Sequence, residues 1–158
     1  MHEFFVEGGD QEESHVLLHI TEPSTAEEMK KGYFFALCEI NKGTVKQIEH
    51  LQQTIDELES RYYETTESEG VDSFEAALDE INRRGHHVLQ NEDSEVGCLV
   101  GVLRGREIAL SAHGQPAVQL FYTKDESVHA LDILKHDEGE GGQQLFSSLM
   151  QGTLKPGD

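Results

Sequence analysis

Between Val45 and Ile81 the apolar residues change period, and that switch limits the possible folds more than any other feature of the chain. Val45, Ile48, Leu51, Ile55, Leu58 and Tyr62 recur every three or four positions, which is one apolar stripe along a helix. Thr44 and Gln47 have the spacing of a capping box at its start. Residues 65–70 (TTESEG) are polar and break the pattern. A second stripe follows, with Phe74, Ala77, Leu78, Ile81, Gly85 and Val88 on one side, and with Asp72 and Glu75 spaced as a cap and its reciprocal partner. Two amphipathic helices with so short a connection are predicted to pack antiparallel.

On both sides of this pair the pattern is that of strands. EFFVEGG (3–9) and HVLLHITEP (15–23) read as short strands around a Gly8-Gly9-Asp10 turn. Residues 23–32 (PSTAEEMKKG) are polar and read as a loop that can include a helical turn. YFFALCEI (33–40) is a continuous apolar run, which predicts a strand buried on both faces. EVGCLVGVLR (95–104) and EIALSAHG (107–114) are joined by Gly105-Arg106, a plausible tight hairpin turn. AVQLFYT (117–123) and SVHALDIL (127–134) follow, with Lys124-Asp125-Glu126 between them. HDEGEGG (136–142) reads as an acidic loop and QLFSSLMQG (144–152) as a short helix.

Grouped strands and grouped helices predict an α+β fold: antiparallel β-sheets in a sandwich-like arrangement, with an antiparallel helical hairpin inserted between the early and late strands. The 158 residues suit a single domain, 1–158, with a real core. The closing GTLKPGD has turn chemistry that ordinarily leads into a strand, so the domain is expected to continue past Asp158.

Charge narrows the function. The chain carries 31 acidic and 12 basic residues, a net charge of −19. Phosphate backbones and anionic membranes are repelled by such a chain, which argues against nucleic-acid binding and membrane adhesion. The charge reads first as a solubility feature and second as an attraction for cations or a basic protein partner. No apolar stretch reaches the ~18 residues of a membrane span, and the chain reads as cytoplasmic. Cys38 and Cys98 both sit in apolar runs without CxxC spacing. They read first as buried core thiols of a reducing compartment and second as a disulfide between neighbouring strands.

Few motifs carry chemistry. Nine histidines invite a zinc hypothesis, but HExxH and CxxC are absent, His86 and His87 are adjacent, and His15 and His19 lie in a strand pattern. GEGG (139–142) lacks the Lys-Ser/Thr of a P-loop, and Asn91-Glu92-Asp93 lacks the alternating ligands of an EF-hand. Tyr62-Tyr63 reads as helix packing, one ring in the core and one at the surface. Carboxylates at strand ends remain. Glu39 ends an apolar strand, and Glu12 or Glu13 precedes a neighbouring one, so Glu39 and Glu13 form a candidate pair for Mg²⁺ or Mn²⁺.

With FFALCEINKG, VGCLVGVLRGREIALSAHGQPAVQLFY and GTLKPGD in this order, the chain resembles the PPM-type metal-dependent serine/threonine phosphatases, the protein phosphatase 2C kind. YY (62–63), FEAALDEIN (74–82) and LFSSLMQGTLKPGD (145–158) are similar to a divergent branch of that fold in uncharacterised bacterial proteins. The resemblance implies that Glu39 and Ile40 stand where the family has its first Asp-Gly metal motif. Lys42-Gly43 then stands for a Gly-Gly turn, and Gly114-Gln115-Pro116 for a Gly-Asp-Ser-type turn. The family's early Asp falls near Glu12–Glu13, and a later metal-binding Asp falls beyond Asp158. These substitutions imply a degenerate phosphatase-like domain, without catalysis or cofactor, acting as a binding or regulatory module for a protein partner. The alternatives are an active Mn²⁺/Mg²⁺ phosphatase using Glu39 and Glu13, and an unrelated α+β domain with the same element order.

Overall fold

The structure, a computed structural model, describes residues 2–7, 14–65, 70–84, 89, 94–114, 116–124, 127–133, 145–146 and 149–155. The elements run β1 (His2–Glu7), β2 (Ser14–Thr21), α1 (Ala26–Lys31), β3 (Tyr33–Asn41), α2 (Val45–Glu64), α3 (Val71–Asn82), β4 (Glu95–Arg104), β5 (Glu107–His113), β6 (Gln119–Lys124), β7 (Ser127–Asp132) and β8 (Leu149–Thr153). The fold is α+β. One six-stranded sheet has the order β1-β2-β3-β4-β5-β8, and β6 and β7 pair with each other as a second, two-stranded sheet. Every strand pairing is antiparallel.

The helical hairpin forms as the periodicity dictates. Thr44 accepts from the Gln47 backbone N–H while the Gln47 side chain accepts from the Thr44 N–H, the reciprocal cap expected at the start of α2. Leu51, Ile55, Leu58 and Tyr62 are all buried on its sheet-facing stripe. Each such side chain contributes about 1.5–3 kcal/mol relative to exposure. From α3, Phe74, Ala77, Leu78 and Ile81 enter the same core. The outer faces are tied by a charge network: Arg61 lies 3.6 Å from Glu57 and 3.2 Å from Glu80, and Arg84 pairs with both carboxylates.

Four expectations from the sequence are corrected. The polar stretch 23–32 contains the helix α1, stabilised by a Thr25–Glu28 capping box that polarity alone concealed. Asp72 is not a cap: Gly70 occupies that position without a side-chain bond, and Asp72 lies in the first turn of α3. The short helix expected over 144–152 gives way to a strand where that stretch is described: Leu149–Thr153 is β8, whose backbone satisfies the free edge of β5. Its apolar run is too short for periodicity to separate helix from strand. The fourth concerns β3. Phe34, Ala36, Cys38 and Ile40 are at most 2 % exposed beneath the helices, but Tyr33 is 43 % and Leu37 47 % exposed on the opposite face. The strand is therefore covered on one side only among the described residues.

Cys38 and Cys98 stand directly opposite in the β3–β4 register, with Cα atoms 4.0 Å apart, and are joined as a disulfide. The burial in the first sequence reading holds, and the pairing is that of the second, because register brings the two sulfurs together on the covered face. Gly105-Arg106 makes the two-residue connection between β4 and β5, with Gly105 at φ 59°. No helix among the described residues is long and apolar enough to cross a membrane.

Candidate functional site

Glu39 belongs to the open face of the sheet. Alternation along β3 sends Cys38 and Ile40 toward the helices, so Glu39 points the other way with Leu37 and Asn41. It stands opposite Val16 on β2 and Gly97 on β4. Ser14 Oγ donates to Glu39 Oε1 at 2.9 Å across the β2–β3 pairing. The residue is exposed and, with Asn41, forms the polar end of a strand face that begins apolar at Tyr33, Phe35 and Leu37.

Around it lies a cleft of about 700 Å³. Leu37 and Leu99 form part of its floor, Glu39 and Glu95 supply carboxylates, and Pro116 and Val118 line it from the segment before β6. Asn41 and Glu95 are directly opposed, so Glu39 and Glu95 are diagonal neighbours on one face. Gly97 deepens the space, since a Cβ there would meet nothing within 4 Å.

The turn residues implied by the resemblance shape this end of the sheet. Gly114 has φ 71°, and a Cβ there would lie 2.3 Å from the Val96 carbonyl oxygen. Only glycine allows that approach, which starts the segment leading to Pro116. In the Lys42-Gly43 turn the left-handed residue is Lys42, at φ 56°, and Gly43 packs against the Ile40 side chain. Glu13 and Gln115 lie outside the described residues, as do Glu12, His86, His87, the 91–93 turn and the 136–142 loop. Among the described residues no group of three His, Cys, Asp or Glu side chains is placed to hold a metal ion.

Sequence reasoning missed a buried polar cluster under the helices. His19, fully buried on β2, lies 2.6 Å from Glu59 of α2 through Nε2, while its Nδ1 has no hydrogen-bond partner among the described residues and lies 3.9 Å from Asp56. Burial raises the Glu59 pKa, but hydrogen bonds from His19 and Thr21 outweigh it and leave the carboxylate below its ordinary value. Nearby, the Lys31 ammonium donates to the Tyr62 and Thr65 carbonyls at the end of α2, and the Tyr62 and Tyr63 hydroxyls donate back to the Lys31 and Gly32 carbonyls. Burial lowers the Lys31 pKa and raises those of both tyrosines. Both Tyr62 and Tyr63 pack as the sequence suggested, with Tyr62 in the core and Tyr63 partly exposed. Only the three- to four-residue helical period signalled that Glu59 faces the sheet beside Leu58 and Tyr62; nothing in the sequence named His19 as its partner.

No family model, no curated protein and no solved structure matches the chain.

Proposed function

We propose that this chain is a catalytically degenerate relative of the PPM phosphatase fold, acting as a recognition module that binds a protein partner on the open face of its central sheet. One observation carries the reading: Leu37, 47 % exposed in the central strand β3, lies beside Glu39 on the floor of the cleft. Tyr33 and Ile20 extend the same exposed apolar face at 43 % and 38 %. An apolar sheet face left in water is a feature of interaction sites.

The helical hairpin between early and late strands supports the family part of the reading. So does Lys42, which takes the left-handed conformation where the resemblance puts a glycine. Degeneracy is supported at Glu39, whose observed bond is to a serine hydroxyl and whose cross-strand neighbours are Val16 and Gly97.

The test is a calorimetric titration with Mn²⁺ and with Mg²⁺ beside hydrolysis of p-nitrophenyl phosphate. The reading expects no turnover above the buffer blank with either ion. Metal-dependent turnover that disappears in Glu39→Ala would overturn it in favour of an active phosphatase using Glu39 and Glu13.

A further inference from the structure

We infer that the cleft takes a lysine or arginine side chain from a basic partner protein, its aliphatic stem on Leu37 and Leu99 and its cationic head between Glu39 and Glu95. This rests on the recognition reading above and names the chemistry of the partner.

The lining is amphipathic in the way such a side chain requires. Among the described residues its apolar walls include Leu37, Leu99, Pro116 and Val118, its carboxylates are Glu39 and Glu95, and no Lys or Arg lines it. Long basic side chains bury their methylenes on apolar surface and keep the charged end on polar groups. Diagonal neighbours across an antiparallel pair stand roughly 7–8 Å apart at the backbone, within reach of one long side chain laid between them. Ser14 occupies Oε1 of Glu39, and Oε2 has no hydrogen-bond partner among the described residues. A cation seated between two carboxylates is attracted by both. Arginine suits the place best, because its planar fork engages two carboxylates at once.

Long-range charge selects the same partner. A net charge of −19 repels a second copy of the chain, a phosphate backbone and an anionic membrane alike. It steers a basic protein toward the surface, and the apolar face then holds it.

The experiment uses the full chain, isotopically labelled, titrated with the blocked peptide acetyl-Gly-Leu-Arg-Leu-Gly-amide and with the same peptide carrying citrulline or glutamate for arginine. Saturable amide shifts are expected at residues 37–41, 95–99 and 117–118 with the arginine peptide only. Glu39→Gln with Glu95→Gln should weaken binding about tenfold or more, the scale for losing a charge partner. An equal loss of charge on the outer face of α3, Glu75→Gln with Asp79→Asn, should change it less than about twofold. Shifts scattered over the acidic surface, or equal weakening by both double variants, would overturn the inference. Concentration-dependent shifts at the same amides without peptide would also overturn it, since a second copy would then fill the face. If the peptide fails while hydrolysis stays absent, only this inference falls. Glu39-dependent hydrolysis would remove the recognition reading itself.

Discussion

Buried His19 and part-buried Glu59 form a pair, imidazole Nε2 to carboxylate at 2.6 Å, that joins β2 to α2 on the face of the sheet away from the cleft. The folded state holds the Glu59 pKa below its ordinary value, burial opposing the shift and the bonds from His19 and Thr21 producing it. A carboxylate lowered on folding contributes stability above its unfolded pKa, about 4.3, and loses it as pH falls through the folded value. Glu59→Gln is therefore expected to cost roughly 1–3 kcal/mol at neutral pH. It should also flatten the fall in stability below about pH 5. Urea unfolding across the acid range measures both effects, and an unchanged acid limb would contradict the role given to this pair.

The Cys38–Cys98 pairing predicts its own chemistry. Both residues are buried, at 1 % and 0 % exposure, and opposed in register. Thiol titration of the unfolded, unreduced protein should find no free thiol, and reduction should release both. The bridge spans a sequence separation of 60. In the chain-entropy account a loop of that size is worth about 4 kcal/mol, so reduction should lower the unfolding free energy by an amount of that order. Unchanged stability on reduction would show that the packed sheet alone sets the register.

How much of this was legible in the sequence follows from what periodicity can encode. The hairpin α2–α3 and the strand β4, Glu95–Arg104, follow directly from spacing, because one face of each is apolar and the period is long enough to read. The open face of β3 was not legible. Tyr33, Phe35 and Leu37 are as apolar as Phe34, Ala36 and Cys38, and the sequence does not say which of two apolar faces the helices cover. β8 was misread for a related reason: its strand character comes from the edge of β5, a partner distant in sequence. Glu39 was legible as the end of an apolar run. Its companions Ser14, Glu95 and Gly97 emerge only from the register.

Gly32 is the tightest backbone approach at the foot of β3. It has φ 90°, and a Cβ there would stand 2.3 Å from the Leu103 carbonyl oxygen. Gly32→Ala must both adopt a left-handed conformation and push β4 away. A loss of about 2 kcal/mol or more is expected, read by chemical denaturation. A neutral outcome would mean that α1 and β3 are joined by a different turn.

Lys42 offers the opposite case. It is exposed and held at φ 56°, a conformation that costs a side chain roughly 1 kcal/mol. Lys42→Gly should relieve that strain, offset in part by the greater freedom glycine has in the unfolded chain. The expected result is a change between zero and about 1 kcal/mol of stabilisation. A clear destabilisation would indicate that the Lys42 side chain itself holds the turn.

Leu37 and Leu58 separate surface from core with one residue type. Leu58 is fully buried in α2 against the sheet, and Leu58→Ala should cost about 2–5 kcal/mol. Leu37 is 47 % exposed on the open face, and Leu37→Ser should cost less than about 1 kcal/mol. If the open face serves recognition, the two variants should part again in a binding assay. Leu37→Ser should keep the fold, seen as unchanged amide dispersion, yet weaken the arginine peptide. A Leu58→Ala protein that still folds should bind it as the parent does. If Leu37→Ser instead destabilised the chain as strongly as Leu58→Ala, the open face would be part of this domain's own core, and recognition would have to be sought on the acidic helices.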